Sequence, residues 1–128
     1  MSQQKALLQK ITVAITTRTE YRITEWFTED FWLHEPGKTP LPVGHAGATE
    51  MLTRGRLLRP PVRFEALGMI EEEDRVAVRW ELSATWEGKP FEEAILAIYR
   101  FVDGRIAEDW GVSFRALWQR APEPARHC

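Results

Sequence analysis

The sequence predicts an α+β domain in which N-terminal helices pack on the concave face of a strongly curved, mainly antiparallel sheet. Two observations predict it. Apolar residues recur every three or four positions in the first part of the chain and switch to alternation after Pro60-Pro61. The alternating segments are joined by short turns, Glu87-Gly88-Lys89-Pro90 and Asp103-Gly104, which suit hairpins rather than helical crossovers.

The elements follow in order. Leu7, Leu8, Ile11, Ala14 and Ile15 form one apolar stripe on a first helix, and Ile23, Trp26 and Phe27 continue the helical spacing. Phe31 to Glu35 is short and aromatic and stops at Pro36-Gly37, so it reads as a strand. Residues 36–47 hold three prolines and three glycines, a loop by composition. A third helix is expected from Ala48 to Leu58, with Met51, Leu52 and Leu58 inward and Pro60-Pro61 ending it. Strands are then expected over Val62–Ile70, around Val76–Thr85, over Phe91–Val102 and over Arg105–Trp118. Residues 1–121 are read as one domain and 122–128 as a disordered tail.

Composition narrows the function classes. With 128 residues, 44% hydrophobic and 28% charged, the chain can bury its own core without a disulfide or metal. A net charge of −2 offers no basic footprint for nucleic acid. No apolar run is long enough to span a bilayer, and the N-terminus lacks the pattern of a signal peptide. The single cysteine, Cys128, forms no disulfide within the chain, so a cytoplasmic protein is expected. Gly44-x-x-Gly47 is no phosphate-loop signature, and no nucleophile elbow occurs. His34, Glu35 and His45 match no common metal-ligand spacing, so no metal is expected.

The chemistry-bearing stretch is Gly104-Arg105-Ile106-Ala107-Glu108-Asp109-Trp110, with two carboxylates beside a tryptophan. A two-residue turn pairs Val102 with Arg105. It puts Phe91, Glu93, Ile95, Ala97, Tyr99 and Phe101 on one face with Ile106, Glu108 and Trp110. That aromatic face is expected under the helices, which makes Glu108 the inward acid; a single bulge would turn Asp109 inward instead. Either acid could be an ordinary partner of Arg100 or Arg105, or a base whose pKa is raised by apolar surroundings. His34 is a candidate proton donor or carbonyl-polarising group, or a half-buried histidine bonded to a backbone carbonyl. Asp30 either caps a helix or serves as the acid partner of His34. Trp32, Trp80, Trp110 and Tyr99 are candidates to line an apolar pocket. The opposite face carries Leu96 and Ile98, apolar for a solvated surface, and suggests a homodimer interface.

Several of these segments together resemble a known family. Phe27-x-x-Asp30-x-Trp32-x-His34-Glu35-Pro36-Gly37, Gly44-His45-Ala46-Gly47, Asp74-Arg75-Val76-Ala77-Val78-Arg79-Trp80 and Tyr99-Arg100-Phe101-x-Asp103-Gly104-Arg105-Ile106-x-Glu108-x-Trp110 resemble the SnoaL-like polyketide cyclases of the nuclear transport factor 2-like superfamily, over about residues 5–120. The resemblance implies a cone-shaped, cystatin-like barrel with an internal cavity, usually as a homodimer. It implies chemistry without a cofactor, in which an acid on the last strands removes a proton from an activated carbon of a small apolar, carbonyl-bearing molecule. In this chain that role falls to Asp109, with Glu108 as rival, His34 polarising an oxygen and Asp30 orienting it. Family members often carry an acid just after the tryptophan, where this chain has Gly111, Val112, Ser113 and Phe114. That departure gives weight to a non-catalytic ligand-binding or dimerisation domain, or to a hydrolase activating water on an epoxide or ester.

Overall fold

The computed structural model describes residues 2–113. Along them run α1 (Gln3–Thr17), α2 (Ile23–Trp26), β1 (Phe27–His34), α3 (His45–Thr53), a 3-10 turn (Arg54–Leu57), β2 (Arg59–Glu72), β3 (Arg75–Trp86), β4 (Lys89–Val102) and β5 (Arg105–Ser113). The expected extension of the last strand to Trp118, and the 122–128 tail with Cys128, lie outside the described residues. The strands form one sheet in the order β1-β5-β4-β3-β2, antiparallel except for the parallel β1–β5 pair. Among the described residues no helix is long and apolar enough to cross a membrane.

α1 starts because the Ser2 hydroxyl accepts a hydrogen bond from the Lys5 amide at 3.1 Å, and ends at Arg18 in a left-handed conformation. Its buried stripe is Leu8, Ile11, Thr12, Ala14 and Ile15. The four apolar ones join Phe27, Phe31, Leu33, Val76, Val78, Trp80, Ala97, Phe101 and Ile106 in one core over the inner face of the sheet.

Boundaries differ from expectation at β1, α3 and β2, where contacts between elements decide them. β1 begins at Phe27 rather than Phe31, because Phe27 pairs with Ile106 and packs edge-on against Phe31 at 4.8 Å, both rings fully buried. The short helix therefore ends at Trp26, and Asp30 lies within a strand instead of at a helix end. α3 begins at His45 rather than Ala48. The Gly44 amide donates to the Phe31 carbonyl at 2.6 Å, and a His45 ring nitrogen lies 3.0 Å from the Phe27 carbonyl oxygen. A Cβ at Gly47 would overlap the Pro42 carbonyl oxygen. The Gly44–Gly47 segment thus clamps the start of α3 and the preceding loop onto β1. The double proline lies within β2, an edge strand whose ladder with β3 is broken between Arg59 and Arg63.

The β4–β5 hairpin decides what faces the core. Asp103 and Gly104 both take positive φ, 51° and 78°, as a two-residue turn of matching twist requires. Val102 pairs with Arg105 and Phe101 with Ile106, but Arg100 then pairs with Glu108, so Ala107 is an extra residue in β5. Beyond this bulge every side chain of β5 changes face. Asp109 sits opposite Tyr99 on the inner side, while Glu108 and Trp110 sit opposite Arg100 and Ile98 on the outer side.

Candidate functional site

The sheet and α1 enclose a cavity of about 390 Å³. Leu8, Ile11 and Ile15 close it from α1, Phe27 and Leu33 from β1, Trp80 and Leu82 from β3, and Ile95, Ala97 and Tyr99 from β4. Its volume lies in the range of small-molecule sites, and its wall is mainly hydrocarbon with a few polar groups, as such sites require. Glu35, just after β1, also lines the cavity and is held by Arg54 at 3.0 Å and Lys38 at 3.6 Å.

Asp109 lines this cavity and is only 7% exposed. Its Oδ1 is buried and has no hydrogen-bond partner among the described residues. Burial, with a smaller contribution from the charge of Glu35, raises its pKa from 3.8 to about 7. A carboxyl group in that state switches between acid and base near neutral pH. Across the ladder, Tyr99 turns its ring into the same cavity and takes a hydrogen bond from the Trp80 indole N–H at 2.8 Å. Burial and the neighbouring Asp109 charge push the Tyr99 phenol well above its ordinary value, against the opposing effect of the Trp80 bond, so it stays protonated. At the far end of the cavity the Ser113 hydroxyl donates to Glu93 at 2.6 Å.

The other residues singled out in the sequence gather elsewhere. Glu108, which the unbulged register placed inward, lies on the outer face, 2.7 Å from Arg100 Nε and 2.9 Å from His34 Nε2. Burial alone would raise the Glu108 pKa, but the hydrogen bonds from Arg100 and His34 bring it below its ordinary value. His34 stacks on Trp110 at 5.1 Å with an angle of 7° and touches Trp32 at 4.3 Å. None of His34, Trp32, Trp110 or Glu108 lines the cavity, because Trp32 and His34 alternate with the inward Phe31 and Leu33. Asp30 is exposed and accepts from the Thr28 hydroxyl at 2.7 Å; the acid partner of His34 is Glu108. Glu35 and Glu93 reach the cavity without having been singled out for it. For Glu35 the signal was the alternation Phe31, Leu33, Glu35. Among the described residues no three His, Cys, Asp or Glu side chains are grouped to hold a metal ion.

The model of the SnoaL-like domain matches residues 9–109, which hold the N-terminal helices, most of the curled sheet and the cavity between them. The chain belongs to the SnoaL-like family. Solved structures agree on the fold. A candidate polyketide cyclase from Acidithiobacillus ferrooxidans is 21% identical, with 93% of this chain and 94% of that one covered and a TM-score of 0.76. IdmH, a candidate polyketide cyclase from Streptomyces antibioticus, is 23% identical over 92% of this chain and 98% of its own, with a TM-score of 0.73. TerC, co-crystallised with polyporic acid, is 18% identical over 92% of this chain and 96% of its own, also at 0.73. No curated protein sequence matches the chain. Within the SnoaL-like family the cone-shaped α+β fold is shared, and the chemistry is read from the cavity itself.

Proposed function

We propose that this SnoaL-like protein binds a small, apolar, carbonyl-bearing molecule in the cavity and catalyses its deprotonation and rearrangement without a cofactor, in the manner of a cyclase or isomerase. The observation that carries this reading is Asp109: a carboxyl group that lines the apolar cavity, with a buried oxygen that has no hydrogen-bond partner among the described residues and a pKa near 7. Desolvation makes its carboxylate a stronger base than one in water, and loss of a proton from carbon next to a carbonyl is the step that such a base serves. The surrounding rings and aliphatic chains exclude water from the enolate that results. That a co-crystallised fold neighbour carries polyporic acid is in keeping with an aromatic or polyketide-like ligand.

The test is a thermal-shift screen against cyclic ketones, lactones, epoxides and polyketide-like aromatics, followed by turnover of whatever binds. Binding to the native state raises the melting temperature by mass action. Wild type and Asp109→Asn should both be stabilised by the same compound, and only wild type should convert it. Equal conversion by both would remove Asp109 from the chemistry. Stabilisation without conversion by either protein would make this a ligand-binding domain.

The outer face of the sheet supports a second property, a homodimer. Trp32, Leu96, Ile98 and Val112 are each 41–48% exposed there, and Ile98 pairs with Trp110 and Leu96 with Val112, so they form one surface across β1, β5 and β4. Sedimentation should give a dimer that Ile98→Glu converts to a folded monomer; a monomeric wild type would contradict it.

A further inference from the structure

Removing a proton from carbon needs a second group to hold the carbonyl oxygen as it becomes negative. His34, the sequence candidate, lies on the opposite face of the sheet, stacked on Trp110 and bonded to Glu108. The cavity contains another donor. Tyr99 sits directly across the ladder from Asp109, which places the two Cβ atoms about 5 Å apart on one face. An indole N–H can only donate, so in the 2.8 Å bond from Trp80 the Tyr99 oxygen is the acceptor, and its own proton has no acceptor among the described residues. The Asp109 Oδ1 does not take that proton, since it has no partner among the described residues. A phenol and a carboxyl group are therefore carried by paired residues on one wall of an apolar cavity, and among the described residues neither bonds to the other.

We infer that Tyr99 is the acid partner of Asp109, donating its hydroxyl to the carbonyl oxygen of a ligand whose neighbouring carbon Asp109 deprotonates. This rests on the reading of Asp109 as the base. In the step, the C–H bond breaks and its proton goes to the Asp109 carboxylate. The C–H electron pair becomes the enolate double bond, and the carbonyl π pair moves onto the oxygen held by the Tyr99 O–H. The Trp80 N–H, bonded to the same phenol oxygen, supports the negative charge that Tyr99 shares. No oxidant or reductant is needed. The Asp109 proton returns at another carbon, or the enolate carbon adds to a second carbonyl, whose π pair moves onto its oxygen and takes the proton from Asp109. Enolisation requires the acidic C–H on the carbon next to the carbonyl, so the substrate class is an enolisable ketone of mainly apolar surface.

The experiment is α-proton exchange of 2-tetralone in D2O, followed by NMR, with the full chain, Asp109→Asn and Tyr99→Phe. Wild type should exchange the probe, and Asp109→Asn should fall to the buffer rate. Tyr99→Phe should lose about 100-fold in kcat with little change in KM, as loss of a donor used in the transition state does. Near-normal exchange by Tyr99→Phe with an inactive Asp109→Asn would overturn the role of Tyr99 and leave Asp109 standing. Exchange unaffected by either substitution, or no exchange by wild type above buffer, would overturn both. Should Tyr99→Phe fail to fold, 3-fluorotyrosine at position 99 carries the test: its more acidic hydroxyl should change kcat, and an unchanged kcat would overturn the proposal.

Discussion

Replacing Asp109 with asparagine should stabilise this protein at neutral and alkaline pH, even as it removes the proposed base. In the native state Asp109 holds its proton up to about pH 7, whereas in the unfolded chain it releases it near 3.8. Between those values the native state binds more protons than the unfolded one, so stability falls as pH rises. Each pH unit costs 1.36 kcal/mol per proton, and over a span of about 3 pH units the cost reaches about 4 kcal/mol above pH 7. That is a large share of the 5–15 kcal/mol that typically holds a domain together. An asparagine keeps the shape and carries no charge to desolvate. Urea unfolding followed by tryptophan fluorescence at pH 4, 6 and 8 measures the difference. The two proteins should be close at pH 4, and the variant should lead increasingly at 6 and 8, by up to about 4 kcal/mol. Other titrating groups cancel in the comparison, because both proteins carry them. A difference that stays flat from pH 4 to 8 would refute the reasoning, since it would mean that burial does not hold the proton on Asp109.

Other predictions concern the outer face and the clamp. Glu108→Gln should cost about 1 kcal/mol at pH 7, since it weakens charge-assisted bonds from Arg100 and His34 at a partly exposed site. Because the native Glu108 pKa is lowered, its stabilisation is present above the ordinary carboxylate range and lost as pH falls through the native value, so the cost should shrink in acid. The same variant should keep ligand turnover, and its loss would put Glu108 back among the reacting groups. Gly47→Ala should destabilise by about 3 kcal/mol, the upper end for overpacking, because its Cβ meets a backbone carbonyl that cannot swing away. A melting temperature equal to wild type would show that the Pro42 loop is not held against α3.

Much of the fold was legible where local and tertiary preferences agree. The stripe Leu8, Ile11, Ala14, Ile15 is buried as its spacing requires, and Asp103-Gly104 makes the two-residue turn that pairs Val102 with Arg105. The inward face of β4 follows from simple alternation, so Tyr99 was placed in the cavity from sequence. β5 was different. Alternation carried past Ile106 selects Glu108, and only the bulge at Ala107 brings Asp109 inside. The local sign of that bulge is two consecutive apolar residues, Ile106 and Ala107, both fully buried, in a strand that otherwise alternates. His34 and Trp32 were readable as a pair on one face, but which face depends on Phe31 and Leu33 filling the core, a tertiary fact. The role of Gly44 to Gly47 as a clamp rests on contacts with Phe27, Phe31 and Pro42 that no local pattern announces.

The proposed chemistry turns on the protonation of one buried carboxyl group, and its most direct test is the titration of Asp109 by carbon-detected NMR of the carboxyl carbon, assigned with Asp109→Asn. The resonance should titrate near pH 7, well apart from the exposed carboxylates. A midpoint near 4 would show a solvated carboxylate of ordinary basicity, and the proposed chemistry would lose its base.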